Sequence, residues 1–352
     1  MTAKTGFLNA AVLTCCCLAA AIAPANLVQN SAFAAAQCWS EEELAGRPGE
    51  KAIWRTPYNR AIEPRGTFTE LPPVPPQMRG SIRSVKLREG ERLVALTFDL
   101  CENPGEISGY DAGIVDTLRR EDVKATFFAS GKWLLDHEER AQQLLGDRLF
   151  QVGLHSWTHR NFRLLNDEQV RADLALDLRA DAEVRKKLAS RACFRPAFLN
   201  DRQADIRLFR FPFGACNEES LNAVNNAGLL AIQWDVVSGD PSAQTAEAIR
   251  QSVVASAKPG SIIVMHANGR GKHTAEALPL IISDLRRRGF SFATVGELLE
   301  RGEAVIAKSC YERKPGDNVK YDRLFPVKDH RPPRAFLNSG DGSAPGQAGE
   351  RR

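Results

Sequence analysis

Between residues 93 and 299, short apolar runs rich in β-forming residues alternate with amphipathic stretches, and this alternation constrains the fold more than any other feature. The runs at 93–99, 125–130, 150–155, 208–212, 229–234, 261–266 and 290–294 have strand length and strand composition. Helical periodicity fills the gaps, over 112–120, 134–145, 167–189, 218–227, 245–257 and 275–288, with a last helix at 295–300. Strands separated by helices pair in parallel through crossovers, so the pattern predicts an α/β protein, either a barrel or an open sheet.

The flanks differ from this region. A chain of 352 residues can hold one large core with appendages or two modest domains. Residues 1–36 read as a secretory signal peptide: a short positive start, an apolar stretch, and small residues ahead of a cleavage point near Ala34 or Ala36. Pro24, Asn26, Gln29 and Asn30 interrupt the apolar run before it reaches spanning length. The expectation is an exported protein, periplasmic or extracellular, with no stable membrane insertion after cleavage. Residues 37–90 read as an irregular extension containing the polyproline-like LPPVPP. Residues 91–302 form the predicted domain, with 193–206 as an inserted loop, and 303–352 read as a polar, partly disordered tail. A net charge of +4 is too small to argue for a nucleic-acid partner.

In a parallel barrel, reactive residues collect where strands end. Here the strand ends carry Asp99, His155, Arg210, Trp234 and His266. The segment HSWTH places His155 and His159 four residues apart, which on a helical turn puts both imidazoles on one side of a divalent metal such as zinc. Arg210 beside a carboxylate would favour its ionised form, as a general base requires. A metal on two histidines, a carboxylate base and a further histidine as acid together describe hydrolysis of an amide or ester.

The motifs TFD (97–99), HSWTH (155–159), RFPFG (210–214), WDVVSGD (234–240) and VMH (264–266) resemble, in order and spacing, those of the polysaccharide deacetylases, the NodB-homology or carbohydrate esterase family 4 group. The resemblance runs from residue 93 to about 299. It implies a distorted (β/α)7-type barrel that removes N-acetyl groups from a GlcNAc-containing polysaccharide, peptidoglycan or another envelope glycan, with a divalent metal, zinc. It implies Asp99 as general base, His266 as general acid, Arg210 as the residue orienting Asp99, and His155 and His159 as metal ligands. The backbone N–H of Phe213 would help hold the oxyanion, and Trp234 would wall the sugar pocket. A second arginine motif, FRPAF at 194–198, lacks the following glycine, so Arg210 rather than Arg195 takes the arginine role. Other readings are an O-acetyl esterase or another amide hydrolase on the same fold, and a degenerate glycan-binding module.

Two positions depart from the family pattern. Leu100 stands where a second aspartate ligates the metal, which leaves three readings: Glu102 supplies the carboxylate, Asp99 touches the metal, or water completes the site. Val237 stands where an aspartate often tunes the acid histidine. The five cysteines beyond the leader are Cys38, Cys101, Cys193, Cys216 and Cys310. Their expected pairs are Cys38 with Cys310, tying the two tails, and Cys101 with Cys216, bracing two loops of one rim. Thiolate ligation by Cys101 and Cys216 is the less attractive reading in an oxidising compartment.

Overall fold

The computed structural model describes residues 38–194, 207–242 and 245–326. The expected signal peptide, Arg195, most of the predicted inserted loop and residues 327–352 lie outside them.

Twelve strands are present among these residues: β1 (Trp54–Arg55), β2 (Ser81–Leu87), β3 (Leu93–Leu100), β4 (Glu106–Ile107), β5 (Ala125–Ala129), β6 (Phe150–Leu154), β7 (Leu208–Phe209), β8 (Leu230–Ile232), β9 (Val236–Val237), β10 (Ile262–His266), β11 (Ser291–Phe292) and β12 (Gly302–Ala307). Ten of them form one sheet in the order β12-β2-β8-β7-β6-β5-β3-β10-β9, with β11 on β3. All pairs in it are parallel except β12 with β2. The sheet curls until β2 meets the start of β10 through an antiparallel bridge between Ser84 and Ser261. The fold is therefore a distorted (β/α) barrel: it resolves the choice between barrel and open sheet that the alternation left open, and it is the architecture that the family resemblance implies.

The predicted helices form close to their expected bounds, with Ala112–Arg120 and Asp167–Ala189 unchanged. The run at 134–145 instead divides into Gly131–Asp136 and Glu138–Leu145 at His137. Alternation along β3 sets the layers. Leu96, Phe98 and Leu100 pack outward into the core shared with the helices, and Thr97 and Asp99 face the barrel interior.

Both extensions are built onto the barrel. The 38–80 segment is pinned where Arg140 binds Glu50 at 2.6 Å and 2.9 Å, and where Trp39 packs under Arg191. The segment after residue 302 contributes β12 and a short helix, Lys320–Leu324. The disulfides correct the expected pairs: Cys38 joins Cys193 and Cys216 joins Cys310, leaving Cys101 as a buried free thiol. The reason is directional. Cys101 faces the barrel interior, while Cys216 packs with Cys310 in the cluster outside β6 and β7. Among the described residues, no helix is long and apolar enough to cross a membrane.

Candidate active site

The rim of the barrel is assembled by register. Asp99 on β3 pairs with His266 on β10 in one direction and with Phe128 on β5 in the other. His155 follows β6, and Arg210 follows β7, donating its backbone N–H to the Leu154 carbonyl. Four reactive side chains, a carboxylate, a guanidinium and two imidazoles, thus reach one level because parallel strands in register end together.

Arg210 is fully buried, its guanidinium lying over the Phe128 ring. It donates to Asp99 at 2.7 Å and to Thr97 Oγ1 at 2.8 Å, so Asp99 is held at one oxygen and its other oxygen lies 3.7 Å from His155 Nε2. The pair is a buried, charge-assisted contact that fixes the carboxylate's orientation.

His155 and His159 do come together, with ring centroids 4.9 Å apart, but no helix places them. Ser156 and His159 take left-handed backbone conformations, φ +66° and +53°, and the segment is a tight turn. It is anchored by the Trp157 N–H donating to Asp173 at 2.7 Å. His155 Nδ1 lies 2.8 Å from the Arg210 carbonyl, to which only a protonated Nδ1 can donate. That contact fixes Nδ1 as a donor and turns Nε2 inward.

The Glu102 side chain is not brought to the histidines. Its oxygens take Lys132 at 2.7 Å and the N–H and hydroxyl of Ser108 at 2.8 Å and 3.0 Å, so it braces a loop. Cys101 faces the histidines instead, with Sγ 3.4 Å from His155 Nε2. The donor atoms of Cys101, His155 and His159 all lie within 4.8 Å of one another. Burial works to raise the Cys101 pKa, but the two imidazoles outweigh it and hold it well below the ordinary thiol value. This donor set suits a divalent transition metal.

The partner of His266 is Asp240. Its carboxylate lies 3.0 Å from Nδ1 and accepts from the His266 backbone N–H at 2.7 Å and from Thr274 Oγ1 at 2.8 Å. Burial opposes a charged His266, yet Asp240 places its pKa well above the usual imidazole value. Asp240 closes the WDVVSGD motif, three residues beyond Val237, and so was within reach of sequence reasoning.

Phe213 has φ +57° in the turn Pro212–Gly214, with its ring edge-on to His159 and stacked on Phe325 at 4.4 Å. Trp234 is buried between Arg210 and Gly214 and does not line the neighbouring cleft. That cleft, of about 590 Å3, is bordered by Tyr58, Trp157, His159, Asp173, Phe213 and Phe325. Tyr58 comes from the N-terminal extension and Phe325 from the C-terminal one, so both extensions wall the cleft.

Residues 86–232 match the polysaccharide deacetylase family. A chitooligosaccharide deacetylase of Sinorhizobium fredii is 31% identical over 212 residues, 57% of this chain and 89% of the relative. The peptidoglycan-N-acetylglucosamine deacetylase PgdA of Listeria monocytogenes is 29% identical over 228 residues, 64% of this chain. The chain spans 43% of that relative's length. The crystal structure of the Bc1960 peptidoglycan N-acetylglucosamine deacetylase, bound to an N-hydroxybenzamide, superposes with a TM-score of 0.51 at 23% identity. It covers 64% of this chain and 95% of that one, and supports the fold.

Proposed function

Because the chain belongs to the polysaccharide deacetylase family, we propose that it is an exported, metal-dependent hydrolase removing N-acetyl groups from a GlcNAc-containing polysaccharide, peptidoglycan or another envelope glycan. The observation that carries this reading is the rim itself: a buried carboxylate oriented by Arg210, a histidine paired with Asp240, and two further histidines converging beside them.

In this reading His155 and His159 hold a divalent ion, zinc, which when bound supplies polarisation of the acetyl carbonyl and a lowered pKa for water. Asp99 takes a proton from the attacking water, and Arg210 keeps the carboxylate aimed at that water. The Phe213 N–H donates to the oxygen that becomes negative. His266, protonated through its contact with Asp240, gives a proton to the leaving amine. The cleft beside His159 receives the glycan, with aromatic rings available for stacking on sugar faces. Export is supported by the two disulfides, which persist in oxidising compartments.

The competing ester-hydrolase reading is separated by rate. The purified protein is expected to release acetate faster from N-acetylated chitooligosaccharide or peptidoglycan than from acetylated xylan, and the reverse order would replace this proposal with an O-acetyl esterase.

A further inference from the structure

We infer that Cys101 is a metal ligand, its thiolate completing with His155 and His159 a sulfur–nitrogen site in place of a carboxylate–nitrogen one. This rests on the metal-dependent reading above and adds the identity of the third protein donor.

The backbone of β3 explains why the donor is Cys101. Side chains alternate faces along a strand, so with Asp99 turned to the interior, Leu100 is turned out into the helix-facing core, where it is fully buried. The next side chain to return to the Asp99 face is Cys101. Its loop is fixed there by Asn268 Nδ2 donating to the Cys101 carbonyl at 2.5 Å and by Ser130, which accepts from the Glu102 N–H at 3.3 Å.

The contacts at the sulfur are those of a ligand. A tetrahedral zinc with a sulfur at about 2.3 Å and nitrogens at about 2.0–2.1 Å separates the sulfur from each nitrogen by roughly 3.5–3.6 Å. The Cys101 Sγ to His155 Nε2 separation of 3.4 Å lies within about 0.2 Å of that value, and the nitrogen facing the sulfur is the one not engaged by the Arg210 carbonyl. An inert buried cysteine packs among apolar atoms, whereas Cys101 is 2% exposed and lies among His155, His159, Asp99 and His266. The other four described cysteines are consumed by disulfides, so Cys101 has no intrachain cysteine partner among the described residues. Glu102, the alternative donor, is held by Lys132 and Ser108. A thiolate carries the same single charge as the carboxylate it replaces, but it is softer, which shifts the site toward zinc and cobalt and away from magnesium and manganese.

The test is absorption spectroscopy of the full mature protein reconstituted with Co2+, with bound cobalt counted separately. Wild type is expected to show an intense near-ultraviolet thiolate-to-cobalt charge-transfer band. The band should persist in Asp99→Asn and disappear in both Cys101→Ser and Cys101→Asp. Bound cobalt should also block alkylation of Cys101 by iodoacetamide in the wild type, a readout that needs no variant to fold. Cobalt bound without the band, or a band surviving Cys101→Ser, overturns the ligand assignment and leaves metal dependence standing. Failure of the wild type to bind cobalt or zinc at all overturns both.

Discussion

Asp240 accepts hydrogen bonds from both the ring and the backbone of His266, the Nδ1 contact being 3.0 Å and the main-chain contact 2.7 Å. One carboxylate therefore fixes the position of the imidazole and favours its charged form. The pKa of His266 lies above the ordinary imidazole value because Asp240 outweighs the effect of burial. As the proposed general acid, His266 works when protonated, so activity is lost as pH rises through its pKa. Asp240→Asn removes the negative charge and lowers that pKa. The alkaline limb of kcat/KM is expected to move to lower pH, with kcat at neutral pH falling by about 10²–10⁴. An unmoved alkaline limb would detach Asp240 from the acid.

Arg210 and Asp99 form a buried pair at 2.7 Å. Truncating one member strands the other's charge, so Arg210→Ala is expected to cost about 3–5 kcal/mol of stability in denaturant titrations, besides activity. Arg210→Ala combined with Asp99→Asn should recover part of that stability without recovering activity, since the stranded charge is then gone and the base with it.

Glu102 and Lys132 make a second buried pair, at 2.7 Å, with both side chains almost wholly buried. Lys132→Met is expected to destabilise by about 3–5 kcal/mol by urea unfolding. Adding Glu102→Gln should recover part of the loss. If Lys132→Met were neutral in stability, the bracing role given to Glu102 would be wrong.

The Cys216–Cys310 bridge closes a loop across 94 positions and holds the segment that seats Phe325 on Phe213. Replacing both cysteines by serine is expected to lower stability by about 2–5 kcal/mol. It should also raise KM for polymeric glycan more than for a short oligosaccharide, because one wall of the cleft loosens. Equal effects on both substrates would place the cleft wall elsewhere.

The barrel strands were legible because continuous apolar runs such as LVALTFDL and IIVMH are buried on both faces in a parallel sheet. β2, β9 and β12 were not, since Arg83 and Lys86 interrupt β2, β9 is only two residues long, and β12 is an edge strand with an alternating half-exposed pattern. Buried Arg83 is accounted for only in three dimensions, where its guanidinium stacks on Tyr311 and donates to the Tyr311 and Glu312 carbonyls. Asp99, His155, Arg210 and His266 were legible as strand-end chemistry and His159 by its spacing from His155, and the five do converge. The turn at 155–159 was read as helical because spacing of four suits a helix, and the left-handed residues Ser156 and His159 leave no mark in sequence. Cysteine pairing and the rotation of Cys101 into the site depend on direction, which a list of five cysteines does not encode.

Acetate release from N-acetylated chitooligosaccharide and peptidoglycan by the mature protein is the most direct test of metal-dependent deacetylation. It is measured as isolated, after chelation, and after zinc is restored, beside Asp99→Asn. Metal-dependent deacetylation predicts activity that disappears on chelation, returns with zinc and is nearly absent in the variant. Activity indifferent to chelation, or a variant indistinguishable from wild type, would contradict it.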